Sequence, residues 1–184
     1  MKNYFKNKTF LSKVNIKMNE QTKLVYDEIS KPNINSVLNI GFRHDSDKTI
    51  YNYCMSNNKT WTVLEIYEPN CETMKTIGID VICGDVRNIK NVLNKNFDAI
   101  IWLHGPEHIL WNDFLKCRTD IEEKANNIVI YQAPIGKYDQ DEMYGNPYEK
   151  HVTTLTSNMF AELGYETINH DKNGEFTFSA IRRI

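Results

Sequence analysis

The sequence predicts a three-layer α/β sandwich on a mostly parallel sheet whose last strand is antiparallel. Three observations carry this reading. Four short apolar runs each stop abruptly: Ser36–Ile40 at Gly41, Trp61–Leu64 at Glu65, Ile79–Cys83 at Gly84-Asp85, and Asp98–Leu103 at His104. The stretches between them are long enough for one helix each, which is the sequence form of a parallel sheet covered on both faces. The chain then closes with two strand-like runs around Asp171-Lys172-Asn173-Gly174, a strong turn, so the final strand reverses direction. In open α/β sheets the ligand sits at the carboxyl ends of the strands, so the stop residues are the candidate ligand contacts.

The elements follow in order. Residues 1–18 have no clear period and carry Lys2, Lys6, Lys8, Lys13 and Lys17 before the first acid, Glu20. They read as a basic extension, a solvated tail whose alternative role is contact with a membrane surface or nucleic acid. Residues 19–184 read as a single domain. Asn19–Ser30 forms a helix with Asn19 as N-cap and Leu24, Val25 and Ile29 on one face, ended by Lys31-Pro32-Asn33. The first strand is Ser36–Ile40, and Asp47–Ser56 is a helix. Trp61–Ile66 is the second strand, and Pro69–Ile77 a helix with its proline in the first turn. Gly78 stops that helix before the third strand, Ile79–Cys83. Val86–Leu93 is a helix with Val86, Ile89, Val92 and Leu93 inward, and Phe97–Leu103 is the fourth strand. Pro106 opens a helix to about Cys117, and Asn127–Ala133 is the fifth strand. The polar and aromatic loop 135–148 is long for a compact domain, which is often a functional sign. His151–Leu163 is a helix capped by Gly164. Tyr165–His170 and Glu175–Arg182 form the terminal hairpin, with Phe176, Phe178 and Ala180 on one side.

Composition narrows the function. Hydrophobic residues make up 41% and charged residues 25%, ordinary for a globular domain, and a net charge of -2 argues against a general polyanion binder. No apolar run approaches the roughly 20 residues of a membrane span, and no apolar segment after the first lysines fits a secretory signal. Cys54, Cys71, Cys83 and Cys117 are scattered without a C-x-x-C pair. Cys83 reads as a buried core thiol, and a reducing cytoplasm is the expected compartment.

Four motifs sit at the strand tips. Ser36-Val37-Leu38-Asn39-Ile40-Gly41 is followed by Phe42-Arg43-His44-Asp45. Val63-Leu64-Glu65-Ile66-Tyr67-Glu68 ends the second strand, Cys83-Gly84-Asp85-Val86 the third, and Trp102-Leu103-His104-Gly105-Pro106-Glu107-His108 the fourth. Gln132–Gly136, Gly145–His151 and Phe160–Tyr165 then follow in order. This succession resembles the class I S-adenosylmethionine-dependent methyltransferases over residues 36–184. It is closer to small-molecule and glycan-modifying members than to nucleic-acid methylases.

The resemblance implies a Rossmann-like, seven-stranded sheet whose antiparallel last strand inserts beside the fifth. It implies S-adenosyl-L-methionine as cofactor and a small-molecule or carbohydrate acceptor, methylated on oxygen or nitrogen. Gly41 would form the turn around the methionine end, Arg43 would pair with its carboxylate, and Asp45 or Asp47 with its ammonium group. Glu65, or Glu68 in its place, would accept both ribose hydroxyls, since a carboxylate has two oxygens to offer a vicinal diol. Asp85 would accept the adenine amino group and the Val86 amide would meet a ring nitrogen, while Asp85 also caps the helix behind it. Ile66, Leu103 and His104 complete the implied cofactor contacts. His104 is the first candidate general base and His151 the second, with His108 and Glu107 orienting a polar acceptor.

Other readings compete for the same residues. His104-x-x-Glu107-His108 spells an inverted zinc-peptidase motif, but Gly105-Pro106 opposes the continuous helix it needs. Apart from a set of His104, His108 and the distant His151, no metal is expected. Asn146-Pro147-Tyr148 partly matches an adenine-methylase motif, yet follows the wrong strand and fits a turn better. A nicotinamide enzyme would need more glycines than the lone Gly41. The rival from another class is a non-catalytic binding or partner subunit with a degenerate cofactor loop.

Overall fold

Seven strands hydrogen-bond into one sheet: β1 (Ser36–Ile40), β2 (Thr60–Glu65), β3 (Asp80–Cys83), β4 (Phe97–Leu103), β5 (Ala125–Pro134), β6 (Glu166–Lys172) and β7 (Glu175–Arg183). Their order is β3-β2-β1-β4-β5-β7-β6. The first five strands pair in parallel, and β7 runs antiparallel between β5 and β6. The computed structural model describes residues 19–42, 44–172 and 175–184. The basic arm, Arg43 and the Asn173-Gly174 turn therefore lie outside the described residues.

The chain leaves β1 outward through β2 and β3, then crosses back to lay β4 on the other side of β1. Two adjacent strands thus send their connections in opposite directions, and a crevice opens at their carboxyl tips. Alternation along β4 makes the three layers. Ile100 and Trp102 face one buried cluster with Phe114, Ile121 and Phe160. Ala99, Ile101 and Leu103 face the other, with Val25, Ile29 and Ile50. The helices are α1 (Glu20–Ile29), α2 (His44–Ser56), α3 (Glu68–Thr76), α4 (Ile89–Val92), α5 (Trp111–Glu123) and α6 (Ser157–Glu162). Asn19 caps α1 as expected, accepting the Thr22 amide at 2.8 Å. Trp102 is buried, and Trp111 stacks on Phe114 at 5.0 Å.

Three expected helices are shorter or broken. Residues 86–93 divide into a 3-10 turn, Val86–Asn88, and the short α4. The helix expected from Pro106 is a 3-10 turn, Pro106–His108, and α5 starts only at Trp111. Ile109 and Leu110 between them are extended, with Ile109 packed against the core. The helix expected over 151–163 is confined to α6, where Thr156 caps the Met159 amide. Residues 152–155 are instead taken up by tertiary pairing: Val152 and Thr153 donate to the Glu107 carbonyl, and Leu155 accepts from Gly136. His151 therefore sits on irregular chain and opens no helix.

The cysteine reading also needs correction. Cys83 is exposed and forms a disulfide with Cys71 of α3, their Cα atoms 5.9 Å apart. Helix α3 lies against β3, which brings together two residues that the sequence separates by 12 positions. Cys54 and Cys117 are buried free thiols. On the expected side of β7, Phe178 and Ala180 are buried, but Phe176 is exposed. No helix among the described residues is long and apolar enough to cross a membrane.

Candidate functional site

A cleft of about 830 Å³ opens at the carboxyl tips of β1, β2 and β4, a size suited to a small ligand. Gly41, Glu65, Ile66, Asp85, Val86, Leu103 and His104 line it, together with Glu107, His108 and His151. The implied contacts thus share one cavity, apart from Asp47 and Glu68, which do not line it, and Arg43, which lies outside the described residues. The side chain of Asp45 lies outside them too.

At the β1 tip, Gly41 takes a φ of +68°, a left-handed turn that favours glycine. Its amide donates to the Leu64 carbonyl at 2.7 Å, locking the turn to β2. Asn39, one residue inside the strand tip, donates to the Asp47 carboxylate at 2.8 Å. Both side chains are buried, so Asp47 here fastens α2 to the sheet.

Glu65 ends β2 and is only 6% exposed. Its Oε1 accepts the Tyr67 amide at 2.8 Å. Burial raises its carboxyl pKa, with the nearby Glu149 adding to the rise, while the Tyr67 and Ile66 amides and the Asn70 side chain pull it back. A buried carboxylate at the rim of a polar cleft is a strong acceptor for a neutral diol. Asp85 is less open than the sequence implied. It caps the turn after β3 by accepting the Arg87 amide at 2.9 Å, and the Arg87 guanidinium grips both its oxygens. Burial pushes this carboxyl up, but the Arg87 contacts outweigh that and leave its pKa lowered.

At the β4 tip, His104 has a φ of +51°, rare for a residue with a Cβ. Its amide donates to the Gln132 carbonyl at 2.8 Å, tying the tip to β5. Gly105 follows because no Cβ fits: it would land inside the Trp102 indole. The tight turn carries Glu107 beneath the cleft, where its side chain is almost wholly buried. Glu107 Oε1 lies 3.9 Å from His104 Nδ1 and 3.9 Å from His151 Nε2. The His108 and His151 rings meet edge to face at 4.8 Å. Burial lowers the His108 pKa, against the raising influence of the Lys150 carbonyl. The four residues chosen from the sequence for acid–base and acceptor roles therefore form one cluster, although His151 is distant in sequence.

The loop after β5 roofs the cavity. It is pinned at its base by the Gly136–Leu155 bridge, while Tyr138, Tyr144 and Tyr148 are exposed along it. Asn146 accepts the Tyr148 amide at 3.0 Å, so Asn146-Pro147-Tyr148 is a turn, as expected. Sequence reading missed Arg87, Asn70 and Gln140. Arg87 was legible as a cation two residues after Asp85. Gln140, which donates to the Glu149 carbonyl at 2.7 Å, had no periodic signal because its partner lies across irregular chain.

No family model and no curated protein matches the chain by sequence. Solved structures match by shape. An O-methyltransferase family protein from Burkholderia thailandensis aligns with a TM-score of 0.59 and 8% identity over 89% of this chain, which spans 56% of that one. Magnesium protoporphyrin IX methyltransferase from Synechocystis, with bound S-adenosylhomocysteine, gives 0.59 and 9% over 89% of this chain and 81% of that one. An S-adenosylmethionine-dependent methyltransferase from Archaeoglobus fulgidus gives 0.57 and 13% over 89% and 94%. With its strand order, its antiparallel β7 and its cleft at the β1–β4 switch point, the chain has the fold of the class I S-adenosylmethionine-dependent methyltransferases.

Proposed function

We propose that this protein transfers a methyl group from S-adenosyl-L-methionine to an oxygen or nitrogen of a small molecule or sugar. The observation that carries the proposal is that buried Glu65 and the cluster of Glu107, His104, His108 and His151 line one and the same cleft. In this reading Glu65 takes the ribose diol and Gly41 turns the chain around the methionine end. Val86 and Asp85 meet the adenine, with Asp85 sharing its charge with Arg87. Solved neighbours of this fold that carry S-adenosylmethionine or S-adenosylhomocysteine support the choice of cofactor. The sulfonium is already a strong electrophile, so the protein's main task is to hold the acceptor in line and dry. His104 then takes the acceptor proton, with His151 as the second base candidate.

The test is calorimetric titration of the full chain with S-adenosylmethionine and S-adenosylhomocysteine, beside NAD as control. Saturable binding that Glu65→Ala abolishes in a folded protein supports the reading. Unchanged affinity in that variant overturns the ribose assignment. The lone Gly41 in the cofactor loop favours one second reading, a non-catalytic subunit. Absence of any thermal stabilisation by either nucleoside would favour it over the enzyme. A cytoplasmic location, expected from the scattered cysteines, would require Cys71 and Cys83 to be reduced there, and thiol counting on freshly lysed cells decides it.

A further inference from the structure

We infer that Glu107, His108 and His151 form a binding site for a divalent transition-metal ion on the acceptor side of the cleft. One ligand atom from each residue lies within 4.8 Å of the others. Three points so spaced have a centre no more than about 2.8 Å from any of them. A shift of at most about 0.8 Å per side chain then reaches the ordinary metal–ligand distance of about 2.0–2.1 Å. Glu107 Oε1 stands 3.9 Å from His151 Nε2, too long for a hydrogen bond and close to the spacing of two ligands facing a common ion.

The second argument is the state of the imidazoles. His108 Nδ1 meets the Lys150 carbonyl at 3.2 Å, and His151 Nδ1 meets the Tyr138 carbonyl at 2.8 Å. A carbonyl oxygen only accepts, so each Nδ1 carries a proton, and Nε2 is the nitrogen through which the neutral ring would ligate. Metal-binding histidines are commonly oriented by this kind of partner.

Third, the two loops bearing the ligands are braced at the ligand positions themselves. The Glu107 carbonyl accepts the Val152 amide at 2.9 Å and the Thr153 amide at 3.1 Å. Thr153 Oγ1 donates to the Ile109 carbonyl at 2.6 Å. His151 is thus fixed to the turn that carries Glu107 and His108, although 42 or more residues separate them in sequence. Lys150 directs its ammonium to Asp141 at 3.1 Å, and Lys137, which lines the cleft, directs its own to Asp139 at 3.0 Å. Two imidazoles and one carboxylate suit zinc or ferrous iron and leave coordination positions open. All three residues line the cleft, so those positions face it and would take an oxygen donor of the acceptor. This last role rests on the proposed methyl transfer; the metal site itself does not.

The experiment is titration of the chelator-treated full chain with zinc chloride, followed by cobalt(II) chloride on the wild-type protein. One equivalent of zinc is expected to bind, and His108→Ala and His151→Ala should each weaken it by about 100-fold or more, the upper end of what losing even a supporting partner costs. Glu107→Gln should weaken it at least about tenfold, and His170→Gln, a change at the far end of the sheet, should not. If a variant fails to fold, the intense visible bands of low-coordinate cobalt in the wild type carry the test. No zinc binding and a cobalt spectrum of the free aqueous ion overturn the site, as does zinc binding that survives His108→Ala and His151→Ala. A parallel titration with S-adenosylhomocysteine separates the two ideas. Zinc bound without it leaves the metal site standing and the methyl-donor reading refuted, and the reverse result refutes the metal site alone.

Discussion

Glu65, the last residue of β2, lies in register with Cys83, the last residue of β3. The Cys71 sulfur of the disulfide sits 3.4 Å from the Glu65 carbonyl oxygen, and the Gly84 amide donates to that same oxygen at 2.8 Å. The backbone that presents the candidate ribose carboxylate is therefore held from both sides by the bridged segment. Replacing both cysteines by serine should lower the unfolding free energy by about 2–3 kcal/mol, as expected for a short closed loop. Urea denaturation reads this directly. Equal midpoints for the two proteins, with and without reductant, would show that the bridge does not form in solution.

Ligand affinity should depend on pH through Glu65. Its carboxyl is raised by burial, so the folded protein holds that proton more tightly than the unfolded chain does. The resulting stability is complete below the ordinary glutamate pKa and is lost as pH rises through the raised value. Ribose recognition needs the carboxylate, so S-adenosylhomocysteine should bind more weakly as pH falls through that same value. Glu65→Gln should flatten this profile and cost roughly 10- to 100-fold in affinity. A profile identical to wild type would remove Glu65 from recognition.

His104 combines a proposed chemical role with an unfavourable backbone. His104→Ala should cut turnover by about 100-fold or more while leaving cofactor affinity nearly unchanged. His104→Gly should lose activity equally but be about 1 kcal/mol more stable than the alanine variant, because glycine accepts a left-handed φ without penalty. Comparing the two melting curves isolates the backbone contribution from the catalytic one.

Gly105→Ala tests the packing at the same turn. A Cβ there collides with the Trp102 indole, which is buried and in contact with Phe114 and Tyr131. The variant should lose about 1–3 kcal/mol, the usual penalty of overpacking a tight core. A change below about 0.5 kcal/mol, the ordinary range for a harmless surface substitution, would mean that the indole has room to swing aside.

The sheet was legible because strand tips carry abrupt changes of polarity. β1 and β4 fall on the residues expected, and Asn19 caps α1 as its side chain predicts. Errors cluster where tertiary bonds compete with helix formation. Leu155, Met159 and Phe160 group at helical spacing within 151–163, but the Glu107 carbonyl draws the amides of Val152 and Thr153 away from any helix. The Cys71–Cys83 bridge left no motif, since its closure depends on how α3 lies against β3. The cluster at the cleft was half legible. His104, Glu107 and His108 announced themselves after β4, whereas the approach of His151 depends on a loop whose path no periodicity encodes.

The roof of the cavity is tied down at its two feet, by the Gly136–Leu155 bridge and by the Glu107 carbonyl. Any gating motion is thereby confined to the crest between them, where Tyr138, Tyr144 and Tyr148 present their rings to solvent. The exposed charges of Lys137, Asp139 and Asp141 stand among those rings, so this doorway offers an incoming molecule flat apolar faces and ionic groups side by side.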